Sequence, residues 1–105
     1  MAFADNLRQL PSVEHIAALH LLDDSGNVVA TIPNQPGKVG SLTLYAALAA
    51  KHGSISEAAA REGLELFAEH TDDARLHPGN HPNIDRLLDV IANQTVYQTR
   101  VELRD

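Results

Sequence analysis

At 105 residues with 44% hydrophobic side chains, the chain has the length and apolar content of one globular domain with a modest core. Eight basic against fourteen acidic side chains give a formal charge of −6, and with no Lys/Arg cluster the electrostatic footprint of nucleic-acid or anionic-membrane binding is missing. The absence of cysteine excludes disulfides, thiol catalysis and Cys-ligated zinc or iron–sulfur centres.

In "FADNLRQLP", Phe3, Leu7 and Leu10 recur at i, i+4 and i+7, which predicts a short amphipathic helix ended near Pro11. "HIAALHLLDDSGNVVATIPN" predicts an antiparallel hairpin over residues 15–32. Two apolar runs flank "DDSGN", whose Asp, Ser, Gly and Asn supply turn chemistry near Asp24 to Gly26. "NQPGKVGS" is a Pro/Gly loop, after which Ser41 can cap a helix over "LTLYAALAAKH" that stops at Gly53. Ser54 and Glu57 have the spacing of a capping box, and one helix is expected through "ISEAAAREGLELFAEHTDDARL". After "HPGNHP", Pro82 suits a first helical position, and Ile84, Leu87, Leu88 and Ile91 form one face. "TVYQTRVEL" closes the chain as a strand, with Thr95, Tyr97, Thr99, Val101 and Leu103 on one side.

The expected class is therefore α+β, with residues 1–105 as a single domain. A small antiparallel sheet, made of the N-terminal hairpin plus the C-terminal strand, carries three or four helices packed on one face. Open sheet edges and an uncovered sheet face make a homodimer a candidate assembly. Acid is concentrated after Gly53, where five basic side chains face ten acidic ones. No apolar run is long enough to span a bilayer and no signal-peptide pattern opens the chain, so a cytoplasmic location is expected.

"EHTDDARLHPGNHPNID", residues 69–85, holds three of the six histidines and most of the candidate chemistry. Projected as one helix over residues 55–76, His70 falls on the apolar side and Asp73 on its border. His70, Asp73 and His81 are the candidate proton carriers, because a carboxylate bonded to one imidazole nitrogen fixes the tautomer at the other. His70, His77, His81 and Asp85 form a candidate ligand set for a divalent metal such as Zn, Mn, Fe or Ni. The spacing matches no metal signature. The bland alternatives are a buried His70 bonded to a carbonyl, and His81 as a plain N-cap with Asp85 at N3 answering the helix dipole.

"PGKVGS" also ends at a helix start. Gly37 and Gly40 would let backbone N–H groups approach a ligand, Lys38 would supply charge, and Ser41 a hydroxyl. With Asn83 from the second loop, these are the candidate ligand-binding residues. The loop fails the P-loop pattern, so no nucleotide cofactor is indicated, and a tight capped turn explains it equally. Both loops precede helix N-termini, and both are expected to face one pocket. Glu62, Glu65 and Glu69 read as a solvated helix face; His15 and His20 fall on opposite strand faces.

With "IPNQPGKVGSL", "REGLELFAEHTDDAR" and "PGNHPNID" in view, the chain resembles a small bacterial family of unknown function. The resemblance spans nearly the whole chain and implies a bacterial cytoplasmic protein; it carries no catalytic residues over. The expected function is binding of a small anionic ligand, with metal-assisted or acid–base chemistry at the His/Asp cluster. A non-catalytic dimeric interaction module is the alternative. An enzyme would gather these polar groups around one cavity; a module would expose an apolar patch.

Overall fold

The structure, a computed structural model, describes residues 2–104. Strands β1 (Ile16–Leu22) and β2 (Val28–Pro33) form the predicted antiparallel hairpin. Its turn is built on Asp23, whose carboxylate accepts the N–H groups of Ser25 and Asn27, each at 2.9 Å. β3 (Gln98–Leu103) pairs antiparallel with the other side of β1, so the sheet order is β2-β1-β3.

The register sorts the two sheet faces. Leu19 lies opposite Ile32 and Val101, and Leu21 opposite Ala30 and Thr99, so these side chains share the inner face. The outer face carries His20 between Thr31 and Arg100. His20 Nε2–H donates to Glu102 at 3.0 Å, while Nδ1 meets the Thr31 hydroxyl at 2.9 Å.

Among the described residues five helices complete the fold: α1 (Phe3–Leu7), α2 (Val39–His52), α3 (Glu57–Phe67), α4 (Glu69–Leu76) and α5 (Pro82–Asn93). α2 lies against β1 and β2, α3 packs on α2 and α5, and α1 bridges α2 and α3. The core between them is aliphatic, as the shortage of aromatics requires. Leu19, Leu42, Leu44, Leu48, Ile84 and Leu87 are essentially inaccessible, and each contributes about 1.5–3 kcal/mol by burial. Gly63 sets the helix spacing, because a Cβ there would lie 2.7 Å from Leu87 Cδ1 and 2.9 Å from Leu48 Cδ1. Among the described residues no helix is long and apolar enough to cross a membrane.

Three local expectations are corrected. The helix expected over residues 55–76 is broken at Ala68, which has φ 52° and ψ −117°. Thr71 Oγ1–H donates to Leu64 O at 2.6 Å and the Asn6 side-chain amide to Leu66 O at 3.0 Å, so carbonyls released by the break are satisfied from outside the helix. The cap of α3 is Ser56, whose hydroxyl accepts the Ala59 N–H; Ser54 precedes it. Ser41 is the third residue of α2, and the N-cap position is Lys38. Gly53 ends α2 in the left-handed conformation, as expected.

Candidate functional site

A cleft of about 370 Å³ opens where the N-termini of α2 and α5 approach one another. Gly37, Lys38, Gly40 and Ser41 line one side, and Asn80, His81 and Asn83 the other. The two Pro/Gly loops thus meet, as their similar grammar predicts. Phe3, Phe67 and His70 form an aromatic wall.

Each loop is shaped locally. Gly37 takes φ 84°, and Lys38 N–H closes a turn onto Gln35 O at 2.9 Å, aiming the chain into α2. Neither Lys38 nor His81 caps its helix with a side chain. The first bond of α2 runs from Leu42 N–H to Lys38 O, so the N–H groups of Val39, Gly40 and Ser41 have no intrahelical carbonyl. The first turn of α2 carries no acid. That of α5 carries Asp85, but its carboxylate accepts the Gly79 N–H at 2.9 Å and closes the 79–85 loop. Both helix starts therefore present positive dipole ends to the cleft.

His81 is the best-positioned titratable group. Its Nε2–H donates to Asp73 Oδ2 at 2.6 Å, a charge-assisted bond that orients the ring. Asp73 stands behind His81 on α4 and does not itself line the cleft. Asp73, one helical turn from His70 in sequence, thus bonds His81. His70 is only half-buried; α4 buries Thr71 and Ala74 instead. Its ring meets Phe3 edge-on at 5.0 Å and His81 at 5.6 Å between centroids. His77 is exposed, 3.9 Å from the far oxygen of Asp73.

The four residues expected as metal ligands do not gather. Asp85 holds Gly79, His70 packs on rings, and His77 turns outward. Among the described residues, no group of three or more His, Asp or Glu side chains is placed to hold a metal ion.

Two glycine- and amide-based candidates also carry structural roles. A Cβ on Gly40 would meet the Phe3 ring at 3.2 Å and Leu7 Cδ1 at 3.4 Å, so its bare Cα serves the docking of α1. Asn83 is structural through its oxygens. Its carbonyl accepts the Tyr45 hydroxyl, and its side-chain oxygen accepts Arg86 Nη1–H at 2.7 Å. Tyr45 is inaccessible, and burial pushes its hydroxyl up to about 12 against the opposing effect of Arg86. Tyr45 remains a neutral donor that ties α5 to α2.

Phe3 and Phe67 are lining residues that sequence reasoning missed. Phe3 stacks on Phe67 at 5.3 Å, and its N–H donates to Glu69 Oε1 at 2.8 Å across 66 residues. That N–H, more than any other group, holds the Glu69 carboxyl below its ordinary 4.5; His70 adds a smaller effect. Only the amphipathic pattern of α1 signalled that Phe3 must pack somewhere. A charged cluster lies away from the cleft: Glu62 Oε1 accepts from both Lys51 Nζ at 2.9 Å and His52 Nε2–H at 3.0 Å.

A three-stranded antiparallel sheet with helices packed against it, and a cleft of mixed polar and aromatic lining at two helix starts, define a small α+β protein. Over residues 3–101 the chain matches the family described as an uncharacterized protein conserved in bacteria (DUF2322), and it belongs to that family. No curated protein and no solved structure matches the chain.

Proposed function

We propose that the cleft binds a small organic anion, a phosphate or carboxylate on a compact apolar body, and that His81 exchanges a proton with it. The observation that carries this reading is the meeting of "PGKVGS" and "PGNHPN" around one cleft. Free first-turn N–H groups and two helix dipoles favour negative charge there, each helix end contributing about 0.3–1 kcal/mol. Lys38 adds a flexible cation at the rim. The rings of Phe3 and Phe67 give the apolar part of the ligand a surface. A volume of about 370 Å³ suits a metabolite-sized molecule.

Asp73 supports the acid–base part of the reading. By accepting Nε2–H it selects the tautomer in which Nδ1 carries the lone pair, the arrangement a general base needs. His70 contributes shape and polarity to the wall.

The test is a titration with inorganic phosphate, pyrophosphate and benzoate, followed through backbone amide shifts. The amides of Val39, Gly40, Ser41 and Asn83 are expected to move together, and Lys38→Ala to weaken binding about tenfold, the scale of one charge-assisted contact. Silence of these four amides to all three anions at millimolar concentration would overturn the reading.

A further inference from the structure

We infer that β3 is the contact between two copies of this chain, paired antiparallel about a two-fold axis at Val101. The inference is independent of the cleft. β3 is an edge strand, and two backbone bonds fix which way its groups point. Arg104 N–H bonds His15 O at 2.9 Å and Asn34 N–H bonds Ala17 O at 2.8 Å. By alternation, Arg100 and Glu102 turn their backbone groups to β1, while Thr99, Val101 and Leu103 turn theirs to the open edge.

Among the registers centred on Arg100, Val101 or Glu102, the charges on this strand favour one. Arg100 and Glu102 share the outer face. Sliding the self-paired strand so that Arg100 is central sets Arg100 against itself, and centring Glu102 sets Glu102 against itself. Centring Val101 sets Arg100 opposite Glu102 of the second copy, twice over, and aligns the outward N–H and C=O groups of residues 99, 101 and 103. Glu102 can serve both partners, since His20 uses only Oε1.

The inner face agrees. Val101 is 42% and Leu103 64% exposed, although they share the face of the buried Leu19. α2 rests on β1 and β2 and leaves an apolar groove of about 360 Å³ beside β3, lined by Val13, Ile16, Ala46, Ala50, Thr99 and Val101. In this register Leu103 of the second copy comes opposite Thr99, at the mouth of that groove. The other sheet edge is guarded: β2 has an irregular register around Val29 and ends in Pro33.

Sedimentation of the full chain tests this. The wild type is expected to be a dimer. Arg100→Glu and Glu102→Arg should each raise the dissociation constant about tenfold or more, because each sets like charges opposite one another twice. Mixing the two variants should restore dimers as heterodimers, since each then presents two like charges of the sign the other lacks. A monomeric wild type, or variants that dimerise as well alone as mixed, would overturn the proposal. A second measurement covers misfolded variants. The chain has no cysteine, so oxidised Val101→Cys should form an intermolecular disulfide while Val29→Cys on the opposite edge stays monomeric; the reverse pattern would also overturn it.

Discussion

Replacing Ala68 by glycine should stabilise the protein. Ala is the best helix former, and the apolar pattern runs through position 68 without interruption. In a continuous helix, Ala68→Gly would cost about 0.5–1 kcal/mol. The observed φ of 52° and ψ of −117° reverse the sign. These are the angles of the first central residue of a type II′ turn, which glycine adopts freely. A side chain held there stores about 1–3 kcal/mol, against about 0.5–1 kcal/mol for glycine's greater freedom in the unfolded chain. The net gain is about 1 kcal/mol, which for a domain of this size raises Tm by about 4–8 °C. Thermal and urea unfolding of the two proteins measure it, with equal m-values as the check that only stability has changed. A variant that melts below the wild type would refute the break, and with it the placement of Glu69 and His70 beside Phe3.

Acid should release α1. The Glu69 carboxyl titrates below its ordinary 4.5 because it accepts the Phe3 N–H, so this stabilisation is complete above that value and is lost as pH falls through the depressed one. The Phe3 amide shift should follow the loss, and Glu69→Gln should flatten it; a pH-independent Phe3 amide in the wild type would count against the contact. Asp73→Asn should leave anion affinity nearly unchanged and cost at most about 1 kcal/mol of stability, since the carboxylate is half exposed. It should nonetheless alter the His81 tautomer seen by imidazole nitrogen shifts, and an unaltered tautomer would remove Asp73 from its orienting role. Protein purified without an affinity tag should melt at the same temperature with and without a chelator; a drop on chelation would show that the protein does hold a metal.

What the sequence made legible is what short-range physics decides. The hairpin follows from two short apolar runs around a turn that Asp23 closes within four residues. The start and buried face of α5 follow from Pro82, Ile84 and Leu87. The meeting of the two loops could be anticipated because both end at helix starts. The break at Ala68 could not, because the groups that satisfy it, Asn6 among them, come from elsewhere in the fold. For the same reason the sequence does not show which histidine Asp73 meets. His70 is its helical neighbour in sequence, but His81 reaches it across a turn whose path Gly79 and Asp85 determine.

The position of β1 has a consequence for how the protein acquires its structure. β1 is the central strand, yet one neighbour is local and the other distant: His20 and Glu102 bond across 82 residues. The hairpin can close in roughly 1–10 μs, whereas pairing β3 must close a far longer loop and is expected to be slower. During that interval "IAALHLL" presents an open strand edge with His20 as its single polar interruption. Such an edge recruits other chains as readily as its own β3. Refolding yield should therefore fall steeply with protein concentration, governed by how quickly the last strand docks and not by how stable the finished fold is.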